Sequence, residues 1–177
     1  MTDTPKAILL AACRVIDRDG AARLTLDAVA REAGVSKGGL LYHYPNKDAL
    51  LKAAVDAYLT DFETDLQRRE NLDPNATGRF TRANFASNLA VAPQPDASAA
   101  LLAAMLLDPA LLVPVRERYG AWRTCAEDDG LEPGLGTLLS LAVDGLWLAD
   151  LLDLGAPNAE RREQLHRVVL KLTGGAS

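Results

Sequence analysis

Between Gly34 and Ser36 this chain leaves room for one residue, Val35, and that spacing constrains the fold more than any other feature. Glycine can take the left-handed backbone that ends a helix, and the Ser36 hydroxyl can start the next one. Upstream, Thr25 is another N-cap, with Asp27 in the first turn favouring the helix dipole. Leu26, Val29, Ala30 and Ala33 then recur as the apolar face of a short helix. Two short helices joined so tightly cross at a steep angle, with Val35 plugging the corner. The segment reads as a helix-turn-helix, whose second helix enters a DNA major groove while the first braces it across the backbone.

The flanks extend the helical pattern. Thr4 caps a first helix with Pro5 in its first turn, Ile8, Ala12, Val15 and Ile16 make its apolar face, and Gly20 ends it. Pro45 closes the helix that Ser36 opens. Asn46 caps a long fourth helix with Leu50, Leu51, Ala54, Val55, Tyr58, Leu59 and Phe62 as its stripe. Turn-rich connectors at 71–78 and 92–96 then separate helices near 79–91 and 97–107. Asp108-Pro109 starts a helix running to about Asp128. Leu135 to Leu154 is apolar on nearly every side, which predicts a helix buried on several faces. Pro157-Asn158 opens the last helix, with Leu165, Val168, Val169 and Leu172 expected inward and Arg161, Arg162, Glu163 and Arg167 outward. No segment alternates with period two over a useful length, so the expected class is all-α.

Charge bounds what such a chain can touch. The net charge of −5 excludes a uniformly basic coat, but its distribution is uneven. Residues 1–50 hold seven Lys or Arg against six Asp or Glu, net +1, and the remainder is net −6. Only the amino-terminal third would tolerate an anionic polymer. Cys13 and Cys125 with His43 and His166 supply no disulfide framework and no CxxC clamp, so no metal and no cofactor are expected. Both cysteines read first as small core residues, Cys125 with some chance of lining a cavity. The amino-terminal run lacks the basic start of a signal peptide, and Glu132, Asp144, Asp150 and Asp153 interrupt the most apolar stretch. A reduced, soluble, cytoplasmic protein is the expectation.

The second helix of the motif reads as a DNA face. Ser36 caps it and offers a hydroxyl to a phosphate, and Lys37 can reach a guanine edge or the backbone. Gly38 and Gly39 are poor helix formers, costing about 1 kcal/mol each relative to Ala, which is reasonable where backbone must approach DNA closely. Tyr42 and His43 each offer a donor to phosphate oxygens, Lys47 follows one turn later, and helix N-termini at Thr25 and Asn46 add backbone donors. Each has a plainer reading. Thr25 is a cap in any case, His43 also suits a solvated or capping histidine, and Tyr44 suits core beneath the turn. Arg18, Arg23 and Arg31 read as surface charges, one of them near a phosphate.

Residues 6–50, above all the run GVSKGGLLYHYPNKDAL, resemble the amino-terminal domain of the TetR family of bacterial transcriptional regulators. The matching pattern is a Gly-Val-Ser turn, a short recognition helix ending in aromatic-His-aromatic, and an Asn-Lys-x-x-Leu opening of the fourth helix. The resemblance implies DNA-contacting roles for Thr25, Lys37, Gly38, Gly39, Tyr42, His43 and Lys47. It also implies a homodimer whose larger carboxy-terminal domain holds a ligand pocket and the subunit interface. Leu41 departs from the pattern, standing where the family commonly has Tyr or Phe. The implied division is a DNA-binding domain over 1–47 and a helical effector-binding and dimerisation domain over 48–177.

No motif assigns the carboxy-terminal residues. Phe85, Met105, Tyr119, Trp122 and Trp147 are the aromatic and thioether side chains that could line a cavity, with ordinary core packing as the competing reading. The interface is expected on the last two helices, through Leu138, Leu141, Ala142, Gly145, Leu148, Leu165 and Val169, paired with their copies as a four-helix bundle. Asp144 interrupts that surface as a satisfied polar group, a register device, a ligand contact or a simply exposed carboxylate. The chain thus reads as a sequence-specific DNA-binding regulator, with a ligand-responsive repressor acting on palindromic operator DNA as the leading form. A helix-turn-helix protein without an effector is the alternative. Little in it suits an enzyme: there is no clustered His, Cys and carboxylate set and no glycine-rich phosphate loop after a strand.

Overall fold

The computed structural model describes residues 4–90, 104–105 and 108–175. Every regular element among them is helical. In order these are α1 (Thr4–Asp19), a 3-10 turn (Ala21–Arg23), α2 (Leu26–Ala33), α3 (Lys37–His43), α4 (Lys47–Leu72) and α5 (Arg79–Ala90). A second 3-10 turn (Pro109–Leu111), α6 (Leu112–Glu127), α7 (Leu135–Leu151) and α8 (Ala159–Leu172) follow. Ala104 and Met105 are helical, but the connector at 92–96 and most of the helix expected at 97–107 lie outside the described residues. The chain forms two compact units, residues 1–60 with 93–116 and residues 61–92 with 117–177. The division read at 47/48 lies at the start of α4, and the compact units part at Thr60 and Asp61 of the same helix.

In the first unit the caps fall where the side chains demand them. Thr25 Oγ1 accepts from Ala28 N at 3.2 Å and Ser36 Oγ from Gly39 N at 3.0 Å. Asn46 Oδ1 accepts from Ala49 N at 2.8 Å, each bond satisfying a donor that the first helical turn leaves orphaned. Gly34 sits at φ 69° and ψ 28°, the left-handed conformation that turns α2 into α3. Thr4 lies at the first helical residue of α1. Ile8, Val15, Val29, Leu40, Leu50 and Val55 are fully buried, Leu26 and Ala33 only half-buried, and Cys13 is a core residue.

In the second unit α5 is the central helix. Residues 80–85 are all buried, including Thr81, Arg82 and Asn84. The Asp129 carboxylate accepts from Phe80 N and Thr81 N at 3.0 and 2.8 Å, an acid at the positive end of α5. Leu66, Phe80, Ala83 and Ala126 pack with Phe62 and Trp122. Phe85, Leu139, Val143 and Val169 pack with Leu89 and Leu135. Arg82, 5% exposed, uses four of its five N–H donors: it donates to Asp73 at 2.7 Å and to the carbonyls of Thr77, Asn75 and Thr173 at 2.7–2.8 Å. A buried guanidinium is tolerable only when paired and hydrogen-bonded in this way. Asp150 and Arg162 pair between α7 and α8.

Three expectations change. Helix α7 ends at Leu151 and buries one stripe, Gly136, Leu139, Val143 and Leu146, rather than several faces. On α8 only Val169 is buried; Leu165, Val168 and Leu172 are 41–51% exposed instead of facing inward. Cys125 is exposed, so it is neither core nor cavity lining. Apolar composition told that these surfaces avoid water, and a single chain does not cover them.

Candidate nucleic-acid interface

Helix α3 is held by one anchor and presents the rest outward. Leu40 is fully buried, whereas Lys37, Gly38, Leu41 and Tyr42 are exposed, Tyr42 at 86%. At about 100° per residue those four positions span an arc of roughly 140° facing away from Leu40. His43 is also exposed but lies about 100° beyond the arc, in the last turn of the helix, its ring 5.1 Å from that of Tyr42 in an edge-on arrangement. Gly38 lies within the arc at ordinary helical φ, and a Cβ built on it would meet nothing within 4 Å. Gly39 differs, because its Cβ would press on the Ser36 hydroxyl at 3.2 Å and disturb the cap.

Four of the basic side chains are already engaged. Lys37 Nζ donates to Asp27 Oδ2 at 2.9 Å, with both side chains more than half exposed. Such a pair contributes about 0–1 kcal/mol and is readily exchanged. Lys47 Nζ donates to the Ala21 carbonyl at 3.1 Å and thereby ties the start of α4 to the turn after α1. Arg14 and Arg18 both pair with Glu32 at 3.0 and 2.8 Å, clasping α1 to α2 and holding the Glu32 carboxyl below the usual range. Arg18 is therefore a brace of the motif rather than a loose surface charge. Tyr44 is half-buried and donates to the Pro5 carbonyl at 3.4 Å, a structural role beneath the turn. Neither the Asp27–Lys37 pair nor the Glu32 clasp has a local spacing signal, so sequence reasoning missed both.

The sequence that builds this N-capped helix after a left-handed glycine matches a known family. The bacterial regulatory proteins of the tetR family match residues 8–54, and the tetracyclin repressor-like C-terminal domain matches residues 78–174. The chain belongs to the TetR family. A curated relative, the HTH-type transcriptional regulator BetI 2 of Chromohalobacter salexigens, is 29% identical over 172 residues, covering 90% of this chain and 83% of that protein. A TetR-family transcriptional regulator from Haemophilus influenzae superposes with a TM-score of 0.71 at 18% identity, over 97% of this chain and 96% of that one. The multidrug binding protein EbrR, solved with malachite green, superposes with a TM-score of 0.67 at 24% identity, over 97% and 98%. At these identities the two solved structures establish the shared fold. This TetR-family protein is a DNA-binding transcriptional regulator, and not an enzyme.

The expected ligand residues of the regulator separate into two groups. Phe85 is 3% exposed in the core against Leu139, Val143 and Val169, so it is packing and not a cavity wall. Tyr119, Trp122 and Trp147 are half-buried, as is Met105. The Trp122 ring lies 5.0 Å from Phe62 and 5.1 Å from Tyr119, and the Tyr119 hydroxyl donates to Asp144 Oδ1 at 3.3 Å. Burial pushes the Asp144 carboxyl up, against the lowering effects of Tyr119 and Arg123. Phe62 belongs to this set and was assigned only to a helix stripe from sequence. Among the described residues no group of His, Cys, Asp and Glu could hold a metal ion, and no helix is long and apolar enough to cross a membrane.

The expected interface residues also separate. Leu138, Leu141, Leu148 and Leu165 are 40–63% exposed, with Ala142 and Gly145 exposed among them. Val169 is the exception. It is 3% exposed inside the second core cluster, so it cannot present itself to a partner. Leu152, Val168 and Leu172, each 51% exposed, enlarge the same apolar character beyond the expected set.

Proposed function

We propose that this regulator is a homodimer that inserts the α3 arc of each subunit into successive major grooves of a palindromic operator, and that a small effector releases it. Gly38 carries the DNA part of the reading. A helical glycine with nothing near it costs the free protein stability, and a groove wall that must approach the backbone is what makes its missing side chain useful. Lys37 then reads a base edge, Leu41 lies against sugar or a thymine methyl, and Thr25, Ser36, Tyr42, His43 and Lys47 hold phosphates.

The dimer part is supported by the uncovered leucines of α7 and α8, since exposed apolar patches of this kind mark association surfaces. Ala142 and Gly145 would let a partner helix approach closely between them. The effector is supported by the aromatic set of Phe62, Tyr119 and Trp122 beside the desolvated Asp144, and by the malachite green held by EbrR. A small molecule seated there shifts the spacing of the two recognition helices by favouring one dimer geometry over another.

The test is selection of genomic fragments by the purified protein at near-physiological salt, repeated with the Lys37→Ala variant. An enriched imperfect palindrome, bound roughly 10³-fold or more above random DNA, supports the reading. Lys37→Ala should alter preference at one or two operator positions. Binding without sequence preference would overturn the reading.

A further inference from the structure

A groove of about 610 Å³ opens beside the carboxy-terminal end of α4, helix α5 and the last turns of α8, and none of Tyr119, Trp122 or Asp144 lines it. Its volume is that of an ordinary small-molecule site. The wall is apolar at Leu72, Ala86 and Leu170 and cationic at Arg68 and Arg69, with His166 beside them. The charge balance there is uneven. Arg82 and Asp73 also reach the groove, but their charges cancel and Arg82 spends its donors on backbone carbonyls. Arg68 and Arg69, by contrast, share the single carboxylate of Asp65, at 2.5 and 2.6 Å. Two guanidiniums against one carboxylate leave a surplus positive charge in a part of the chain that is otherwise strongly acidic.

The sharing also leaves donors over. Among the described residues Arg68 is bonded through Nη2 and Arg69 through Nε. The rest of each planar fork is open to a carboxylate, which guanidinium geometry matches. Burial raises the Asp65 carboxyl, but the hydrogen bonds from Arg69 and Arg68 outweigh it and hold it down at about 2, so the cluster keeps its charges throughout the neutral range.

We propose that this groove binds an organic anion, with an apolar body against Leu72, Ala86 and Leu170 and a carboxylate on Arg68 and Arg69. The site is separate from the aromatic set assigned to the effector, and its test does not depend on DNA binding. Octanoate is titrated into the full chain by calorimetry and by amide and methyl NMR, with octan-1-ol and octylammonium as matched probes. Octanoate should bind saturably, with shifts centred on Leu170 and His166, and the other two probes should bind about tenfold more weakly or less, because they lack the charge that the guanidiniums recognise. Arg68→Gln with Arg69→Gln should remove that preference. Ala86→Phe, which fills the groove from a half-buried position, should block octanoate while leaving the rest of the spectrum folded.

Equal binding of octan-1-ol would reduce the groove to a greasy surface and overturn the proposal. So would octanoate shifts centred on Tyr119 and Trp122, an outcome that would leave the effector reading standing.

Discussion

Gly38 and Asp144 each cost the free protein something that its own packing does not return. Gly38 is helical and unopposed by any neighbour, so Gly38→Ala should stabilise the free chain by about 0.5–1 kcal/mol through reduced backbone entropy. The same methyl stands in the exposed arc, so operator affinity should fall by about tenfold or more, the range of one lost good contact. Thermal melts together with a DNA retention assay check both halves, and a variant that gains stability without losing affinity removes Gly38 from the contact surface. Asp144 is a pH-dependent case. Its folded-state value is raised, so the folded chain holds the proton more tightly than the unfolded chain does. Stability is then greatest below the unfolded value of about 3.9 and declines as pH rises through the folded value. Asp144→Asn keeps an acceptor for the Tyr119 hydroxyl and removes that decline. Its Tm at pH 7 should exceed that of the parent, with the gap closing near pH 3. A constant gap at both pH values would assign the effect to something other than the charge.

At the scale of elements, legibility followed the range of the interactions. Caps and stops act within three or four residues, so Thr25, Ser36, Asn46 and Gly34 could be placed from sequence, and α1 to α4 begin and end near where their side chains put them. The second unit is built by long-range contacts. The Arg82 bond to Thr173 spans 91 positions and the Asp129 cap on α5 spans 49, and no local pattern announces either. The inside-out reading of Leu165, Val168 and Leu172 has a related cause. Hydropathy says that a side chain wants cover, and it does not say whether the same chain supplies it. The junction of α6 and α7 offers a test. A Cβ on Gly136 would overlap the Ala126 carbonyl, a backbone atom that cannot swing aside. Gly136→Ala should therefore force the two helices apart at a cost of about 1–3 kcal/mol and lower the Tm by several degrees. A melt unchanged from the parent would show that the helices separate freely there.

For the whole molecule, the proposed dimer would make the uncovered leucines of α7 and α8 connect stability, assembly and DNA binding. Leu141 is 63% exposed and borders Ala142 and Gly145, so Leu141→Glu should leave the single chain folded. In a dimer the same change buries a charge without a partner, at several kcal/mol. Sedimentation should then show a monomer at micromolar concentration, with operator affinity reduced by about 10²-fold or more as the second recognition helix is lost, in keeping with the usual span between specific and nonspecific binding. A variant that stays dimeric would move the interface elsewhere. The Asp27–Lys37 pair matters at this scale too, although it joins only two side chains. A cell offers a regulator a vast excess of wrong DNA, and each wrong site attracts it through phosphate charge. Because Asp27 occupies Lys37 until a better partner arrives, every encounter begins with a small toll on that lysine. On the proposed reading, a site that gives Lys37 a base edge in addition to phosphate repays the toll more fully than phosphate alone, and the pair would then act as a threshold against the wrong places.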